Sequence, residues 1–313
     1  MRLGVLDVGS NTVHLLLIDG SPGARPEPYA SHKIPLQLVQ YLDAEGNISQ
    51  EGADALTRFV TSARDFAIEN EAEDLLAFST SAIREAGNGP AVLQQVREQT
   101  GVSLNGISGD QEAAITYFAV RRWQGWSAGR ILDFDIGGGS FEFSTGTNAL
   151  PDAAMSVPLG AGRLTREFFD EQPPKPKQVK RLRKYVREQI APVAENLLRY
   201  GAPDMTVGTS KTFRSLARIC GAAPYSAGPH VKREMHLQDL RLWTRRMEAM
   251  TVSERSDLPG VSKARAEQML AGAIAAEAAM EAFGVETMRV CPWALREGLI
   301  LKRIEHLAEG TGT

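Results

Sequence analysis

The sequence is short of several things, and each shortage closes off a class of protein. It holds only two cysteines, Cys220 and Cys291, without metal-ligand spacing and too few for a disulfide framework. Both stand among apolar or small residues, so two reduced, buried thiols are expected. No apolar run approaches the roughly 18 residues of a membrane span. Met1 leads straight into the strand-like RLGVLDVG, with neither a charged-then-apolar leader nor a small-residue cleavage site. The expected compartment is the cytoplasm, with no membrane partner. Charge of one sign is not in excess either: 35 Lys and Arg against 38 Asp and Glu leave a net charge of −3. Such a chain has no general attraction for polyanions, so no nucleic-acid partner is expected, and any anion site must be local. Low-complexity segments and short-period repeats are also missing.

What is present is an ordinary globular composition, 43% apolar and 23% charged over 313 residues. That is enough for two domains of about 150 residues each. LGVLDVGSNTVHLLLIDG (3–20) reads as an apolar strand ending in Asp7, a Gly/Ser turn and a return strand. RILDFDIGGGSFEFSTG (130–146) repeats the plan around Asp135. The echo predicts a duplicated unit and two similar lobes. Between the copies the pattern predicts a helix over 48–70, a strand over 74–82, and a helix starting near Pro90. A short strand and turn over 103–110 and a helix over 111–123 follow. Strand–helix alternation of this kind indicates an α/β fold. Beyond the second hairpin, a Pro-rich break (172–177) precedes a helix carrying Val179, Leu182, Val186, Ile190, Val193 and Leu197. A strand at DMTVGTS, a helix at KTFRSLARI and a closing amphipathic helix over 293–307 complete the chain.

The two turns carry the chemistry. Gly9-Ser10-Asn11-Thr12 and Gly137-Gly138-Gly139-Ser140 offer backbone N–H groups unobstructed by large side chains, and successive N–H groups form concave anion sites. Asp7 and Asp135 end the preceding strands, where hard carboxylate oxygens suit Mg²⁺. One such turn is better read as a plain tight hairpin, because short motifs recur by chance. Two in register, each preceded by Asp, reverse that preference.

With these elements in place, the sequence resembles the exopolyphosphatase/guanosine pentaphosphate phosphohydrolase family of the actin-like and sugar-kinase-like superfamily. DVGSNT resembles that family's first phosphate element and DIGGGSFE its second. STSAIREAGN (79–88), ISGDQEA (107–113), VPLGAGRL (157–164), VGTSKTF (207–213) and ALREGLIL (294–301) continue the likeness in family order. The resemblance implies two actin-like, ribonuclease H-like lobes with an active-site cleft between them. The lobes are expected at 1–124, with helix 293–307 packing back on the first, and at 125–292. It implies a Mg²⁺-assisted hydrolase that removes terminal phosphate from inorganic polyphosphate, with short chains preferred and guanosine pentaphosphate as runner-up substrate. A homodimer is compatible with the family but rests on no feature of the sequence.

Each residue also has a plainer reading. Thr80 and Ser81 can donate to phosphate oxygens and Arg84 can fork onto a phosphoryl group; alone, Ser81 would be a helix cap and Arg84 a solvated charge. Asn88 is as well explained by a turn. Glu112 sits in the first turn of a helix, where any Glu favours the dipole and Asp110 is the expected N-cap. By resemblance Glu112 is the catalytic base. Glu142 reads either as an exposed strand charge or, by resemblance, as a carboxylate beside the metal or attacking water. Lys211 stands where nucleotide-binding relatives tend to have Gly, which favours bare phosphate chains over nucleotides. Asp133 receives no role. The basic run 175–187 reads as the wet face of a helix, with a polyphosphate guide of Lys180, Lys184 and Arg187 as the lesser reading. An ATP-dependent kinase or ATPase on the same fold, and a non-catalytic phosphonucleotide sensor, are the competing functions. Retention of Glu112 and Glu142 speaks against the sensor.

Overall fold

The computed structural model describes every residue except 10, 11, 21–27, 37, 44 and 311–313, with backbone alone at 39, 81, 82 and 307–310. Its contacts divide into two units, Met1–Glu112 with the C-terminal segment from Leu295, and Ala113–Ala294.

In the first unit β1 (Arg2–Val8) and β2 (Thr12–Asp19) pair antiparallel, with Asp7 opposite His14. β3 (Pro28–Pro35) extends this hairpin on the β2 side. After α1 (Gln50–Glu69), β4 (Asp74–Ser79) lies parallel to β1. The short α2 (Ser81–Arg84), α3 (Gly89–Thr100) and β5 (Asn105–Gly106) follow, giving the order β3-β2-β1-β4-β5. Because strand side chains alternate, β1 is buried on both faces. Leu6 and Val8 pack with Leu56 and Val60 of α1. Leu3 and Val5 point the other way, and Asp7 shares their face by the same alternation. Ser49 caps α1, its hydroxyl accepting from Gly52 N–H at 3.2 Å.

α4 (Gly109–Gln124) begins at the end of the first unit and continues in the second. There β6 (Ile131–Ile136), β7 (Phe141–Gly146) and β8 (Ala153–Val157) form an antiparallel meander, and α5 (Ala161–Phe168) and α6 (Pro176–Leu198) follow. β9 (Met205–Gly208) lies parallel to β6 and leads into α7 (Ser210–Ile219). β10 (Glu234–His236), α8 (Leu237–Met247), α9 (Val252–Ser256), α10 (Lys263–Ala266), α11 (Met269–Ala282), β11 (Thr287–Val290) and α12 (Leu295–Gly310) complete the chain. The second sheet runs β10-β11-β9-β6-β7-β8. Leu132, Phe134 and Ile136 of β6 face a core built with α6, α7 and α11. Ile131 faces Tyr117 and Val120 of α4.

The fold is therefore α/β with two mixed sheets, and the sequence echo is a structural one. In each unit an Asp-ended central strand has an antiparallel partner on one side and a parallel strand on the other. The closing helix α12 lies on the first unit, where Ile300 and Ile304 pack with Leu3, Val5 and Ile18. β3 escaped the sequence reading for a physical reason. PYASHKIP buries almost nothing and is held by its ladder to β2, so its composition carries little strand signal. Of the short strand and turn expected over 103–110, the strand is Asn105–Gly106, and α4 starts at Gly109, two residues earlier than expected.

On α6, Lys184 meets Glu188 at 3.7 Å and Arg187 meets Glu281 at 3.2 Å, as expected of a solvated face rather than a polyphosphate guide. Neither cysteine is in a disulfide; burial is the main reason the Cys220 thiol is pushed up to about 12. Among the described residues no helix is long and apolar enough to cross a membrane.

Candidate functional site

The first unit gathers one set of site residues. Gly9 N–H donates to Thr12 O at 3.0 Å and closes the turn after β1. Ser10 and Asn11, expected to bind phosphate, lie outside the described residues. Thr80 N–H donates to Val8 O at 3.1 Å, which places the start of α2 beside the end of β1. The side chain of Ser81 is likewise outside the described residues. Arg84, at the end of α2, donates through Nη1 to Ile107 O at 2.7 Å and to Glu112 Oε2 at 3.3 Å. The expected phosphate-binding Arg and the expected base are thus an ion pair, with side chains 23% and 17% exposed.

α4 brings Glu112 there, but not through the expected cap. Ser108 Oγ accepts from Gln111 N–H at 3.2 Å, and Gln111 Oε1 accepts from Ser108 N–H at 3.0 Å. This reciprocal capping box makes Ser108 the cap and puts Asp110 inside the first turn. Asp110 fails as the cap because the helix starts one residue before it. Asn88 is structural: it exchanges two 2.8 Å hydrogen bonds with the backbone of Ile48.

Asp7 sits under opposing influences. Burial pushes its carboxyl up, the Arg296 guanidinium pulls it down, Glu297 raises it and Lys33 lowers it. Arg296 Nε stands 3.8 Å from Asp7 Oδ2. The same guanidinium bonds His14 Nδ1. Burial, then Arg296, hold His14 down to about 3, so its ring is neutral.

In the second unit the Gly-rich turn is held from behind. Gly137 N–H closes it on Ser140 O at 2.9 Å. Its carbonyls are then taken by the start of α5: Ala161 N–H donates to Gly137 O at 3.0 Å, Arg163 N–H to Gly138 O at 2.9 Å, and Gly160 N–H to Gly139 O at 3.2 Å. Arg163 Nε adds a 3.0 Å bond to Gly139 O. A trans peptide points its N–H away from its C=O, so the N–H groups of Gly138, Gly139 and Ser140 face away from α5. Among the described residues none of the three donates to a backbone acceptor. They form a row of donors suited to phosphate oxygens. Glycine is required at the contact, since a Cβ on Gly160 would stand 2.3 Å from Gly139 C.

Asp135 accepts from Thr209 Oγ1 at 2.7 Å. Arg265 feels its charge: the guanidinium is pushed down to about 10, by burial first and then by Arg214, with Asp135 opposing. Glu142, directly across the ladder from Asp135, is only 3% exposed and accepts from Ser156 Oγ at 2.8 Å. The exposed-charge reading of Glu142 is therefore wrong: β8 covers its strand. Asp133 is 2% exposed, opposite Ser144, with its carboxyl well above the usual range through burial and the charge of Asp135. Lys211 is the second residue of α7 and is half-buried. Thr209 and Ser210 begin that helix, Ser210 with a left-handed φ of 62°.

Sequence reading passed over His14, Thr209, Arg214, Arg265 and Arg296. Arg296 lies inside the noted ALREGLIL, but Arg265 in SKARAEQ carries no pattern to mark it. Among the described residues no three His, Cys, Asp or Glu side chains converge as a metal cage. One strand-end carboxylate per unit instead fits Mg²⁺, which commonly binds through one or two carboxylates, with water and phosphate filling the rest.

The chain matches the Ppx/GppA phosphatase family over residues 19–307. It is 50% identical over 311 residues to exopolyphosphatase 1 of Mycobacterium tuberculosis, a match covering 99% of this chain and 90% of that protein. To exopolyphosphatase 1 of Mycobacterium leprae it is 49% identical, covering 99% and 92%. Among solved structures, an exopolyphosphatase from Cytophaga hutchinsonii matches with a TM-score of 0.87 over 98% of both chains; at 23% identity this likeness speaks to fold alone.

Proposed function

Because the chain belongs to the Ppx/GppA phosphatase family, we propose that it is an exopolyphosphatase, releasing terminal phosphate from inorganic polyphosphate by attack of water. The observation that carries this reading is 50% identity over 99% of the chain to a protein named exopolyphosphatase 1. The site chemistry supports it. A phosphoanhydride resists hydrolysis because its charge repels a nucleophile, so a catalyst works mainly by positioning and by neutralising charge.

The N–H groups of Gly138, Gly139 and Ser140 bind phosphate oxygens, and Gly9, Ser10, Asn11, Thr12 and Ser81 do the same in the first unit. Arg84 pairs with Glu112 and holds it in place, and its other N–H groups serve phosphate. Glu112 takes a proton from water as the oxygen bonds to the terminal phosphorus. The bridging P–O bond breaks, and its electrons leave with the shortened chain. Asp7 in the first unit, and Asp135 with Glu142 beside it in the second, are the carboxylates that would take part in holding Mg²⁺, which when bound neutralises phosphate charge. Arg265 adds a cation within electrostatic reach of Asp135.

A panel of short and long polyphosphates, guanosine pentaphosphate and ATP, each with and without Mg²⁺, tests this. Fastest phosphate release from polyphosphate, dependent on the cation, is expected. Higher kcat/KM on guanosine pentaphosphate would move the assignment to that substrate, and release from ATP alone would end it.

A further inference from the structure

The C-terminal helix brings a guanidinium to the first strand-end carboxylate in an unusual way. α12 is held to the first unit at several points between Arg296 and Ile304. Ile300 and Ile304 pack on the face of β1 that also carries Asp7. Arg303 donates through Nε and Nη2 to Asp74 Oδ2 at 2.9 and 2.7 Å. At the opposite end Arg296 spends Nη1 on His14 Nδ1. A guanidinium only donates, so Nδ1 is the acceptor and the ring proton is on Nε2. His14 is the cross-strand neighbour of Asp7. With Arg296 pinned there, its Nε stops 3.8 Å from Asp7 Oδ2. That is within ionic reach but too long for a hydrogen bond.

We propose that Arg296 is a positioning residue for Asp7: anchored by His14, it lends positive charge to the carboxylate without occupying its oxygens, which stay available to a cation and its phosphate. The inference rests on the reading of Asp7 given above. His14 is essential to it, because an unanchored guanidinium would collapse onto Asp7 and compete for the same lone pairs. Arg296 thereby holds an anionic site ready for an anionic substrate, at some expense in affinity for the free cation.

Mn²⁺ titrated into the substrate-free protein at pH 8 and followed by electron paramagnetic resonance tests the idea, beside kcat and KM on polyphosphate. Arg296→Met is expected to bind Mn²⁺ more tightly yet turn over about 10- to 100-fold more slowly, with KM changed less than about threefold. Arg296→Lys should recover part of the turnover. His14→Phe, which frees the guanidinium, should weaken Mn²⁺ binding instead. Loss of helix packing alone would weaken Mn²⁺ binding and turnover together in Arg296→Met, and that result overturns the proposal. So does a variant with both quantities within about twofold of the parent. Failure of the parent protein to hydrolyse polyphosphate would remove the functional reading, while the Mn²⁺ comparison would still decide whether Arg296 tunes Asp7.

Discussion

Glu112 is constrained from two directions, by the capped first turn of α4 that carries it and by the Arg84 guanidinium at 3.3 Å. Both favour the ionised carboxylate, the form able to accept a proton. Glu112→Gln keeps the shape and the hydrogen-bonding reach but loses the basicity. Its kcat should fall by about 10²- to 10⁴-fold with KM little changed. Initial-rate kinetics would check this, and near-normal turnover would shift the role to Glu142. Gly160 makes the complementary case, because its contribution is the lack of a side chain. A Cβ there would overlap Gly139, and the obstacle is backbone that cannot step aside as a side chain tip would. Gly160→Ala should push the turn off its bonds to α5, lose about 10²-fold in kcat/KM, and cost about 1–3 kcal/mol of stability. Kinetics with thermal denaturation would measure both, and an unperturbed enzyme would show that α5 does not set the turn.

At the level of elements, α7 shows why part of the site could be read from sequence and part could not. GTSKTF was visible as a strand-to-helix loop, and Lys211 was visible in it. That the Thr209 hydroxyl would go to Asp135 rather than cap its own helix depends on β9 lying beside β6, which no local pattern states. The same limit explains the rest. The two Asp-preceded turns could be seen because each lies within a few residues of chain, whereas Glu112 was singled out only through the family resemblance. Arg265 and Arg296 act on carboxylates far away in sequence, so only the fold brings them in. Glu142 was visible, but its burial was not, since β8 is what covers it. Lys211 is the residue of α7 that the sequence reading ties to substrate choice, and that reading can be tested. A cation at a helix start adds to N–H groups that already favour an anion. Lys211→Gly should weaken polyphosphate binding by about 1–2 kcal/mol, while hydrolysis of guanosine pentaphosphate or ATP holds or improves. Kinetics unchanged on both substrate classes would place Lys211 outside the site.

Over the whole molecule, the duplicated plan has been put to unequal use. Asp7 and Asp135 end equivalent strands, yet their cross-strand partners are His14 in one unit and Glu142 in the other. Asp7 has Arg296 near it, whereas Asp135 has a hydroxyl from Thr209 and feels the charge of Arg265. Duplication alone would allow two independent phosphate sites. The two settings differ in kind, and on the reading proposed above both carboxylates serve the same hydrolysis. That reading has a kinetic consequence. Asp7→Asn and Asp135→Asn should each lower kcat/KM by at least about 10-fold at saturating Mg²⁺. If both carboxylates serve the same turnover, removing the second after the first should add little, because residues acting as a unit are far from additive. The double variant should then lie within about tenfold of the weaker single variant. Losses that multiply in full would mean that Asp7 and Asp135 act in separate events, and the assignment of both to one hydrolytic step would fail.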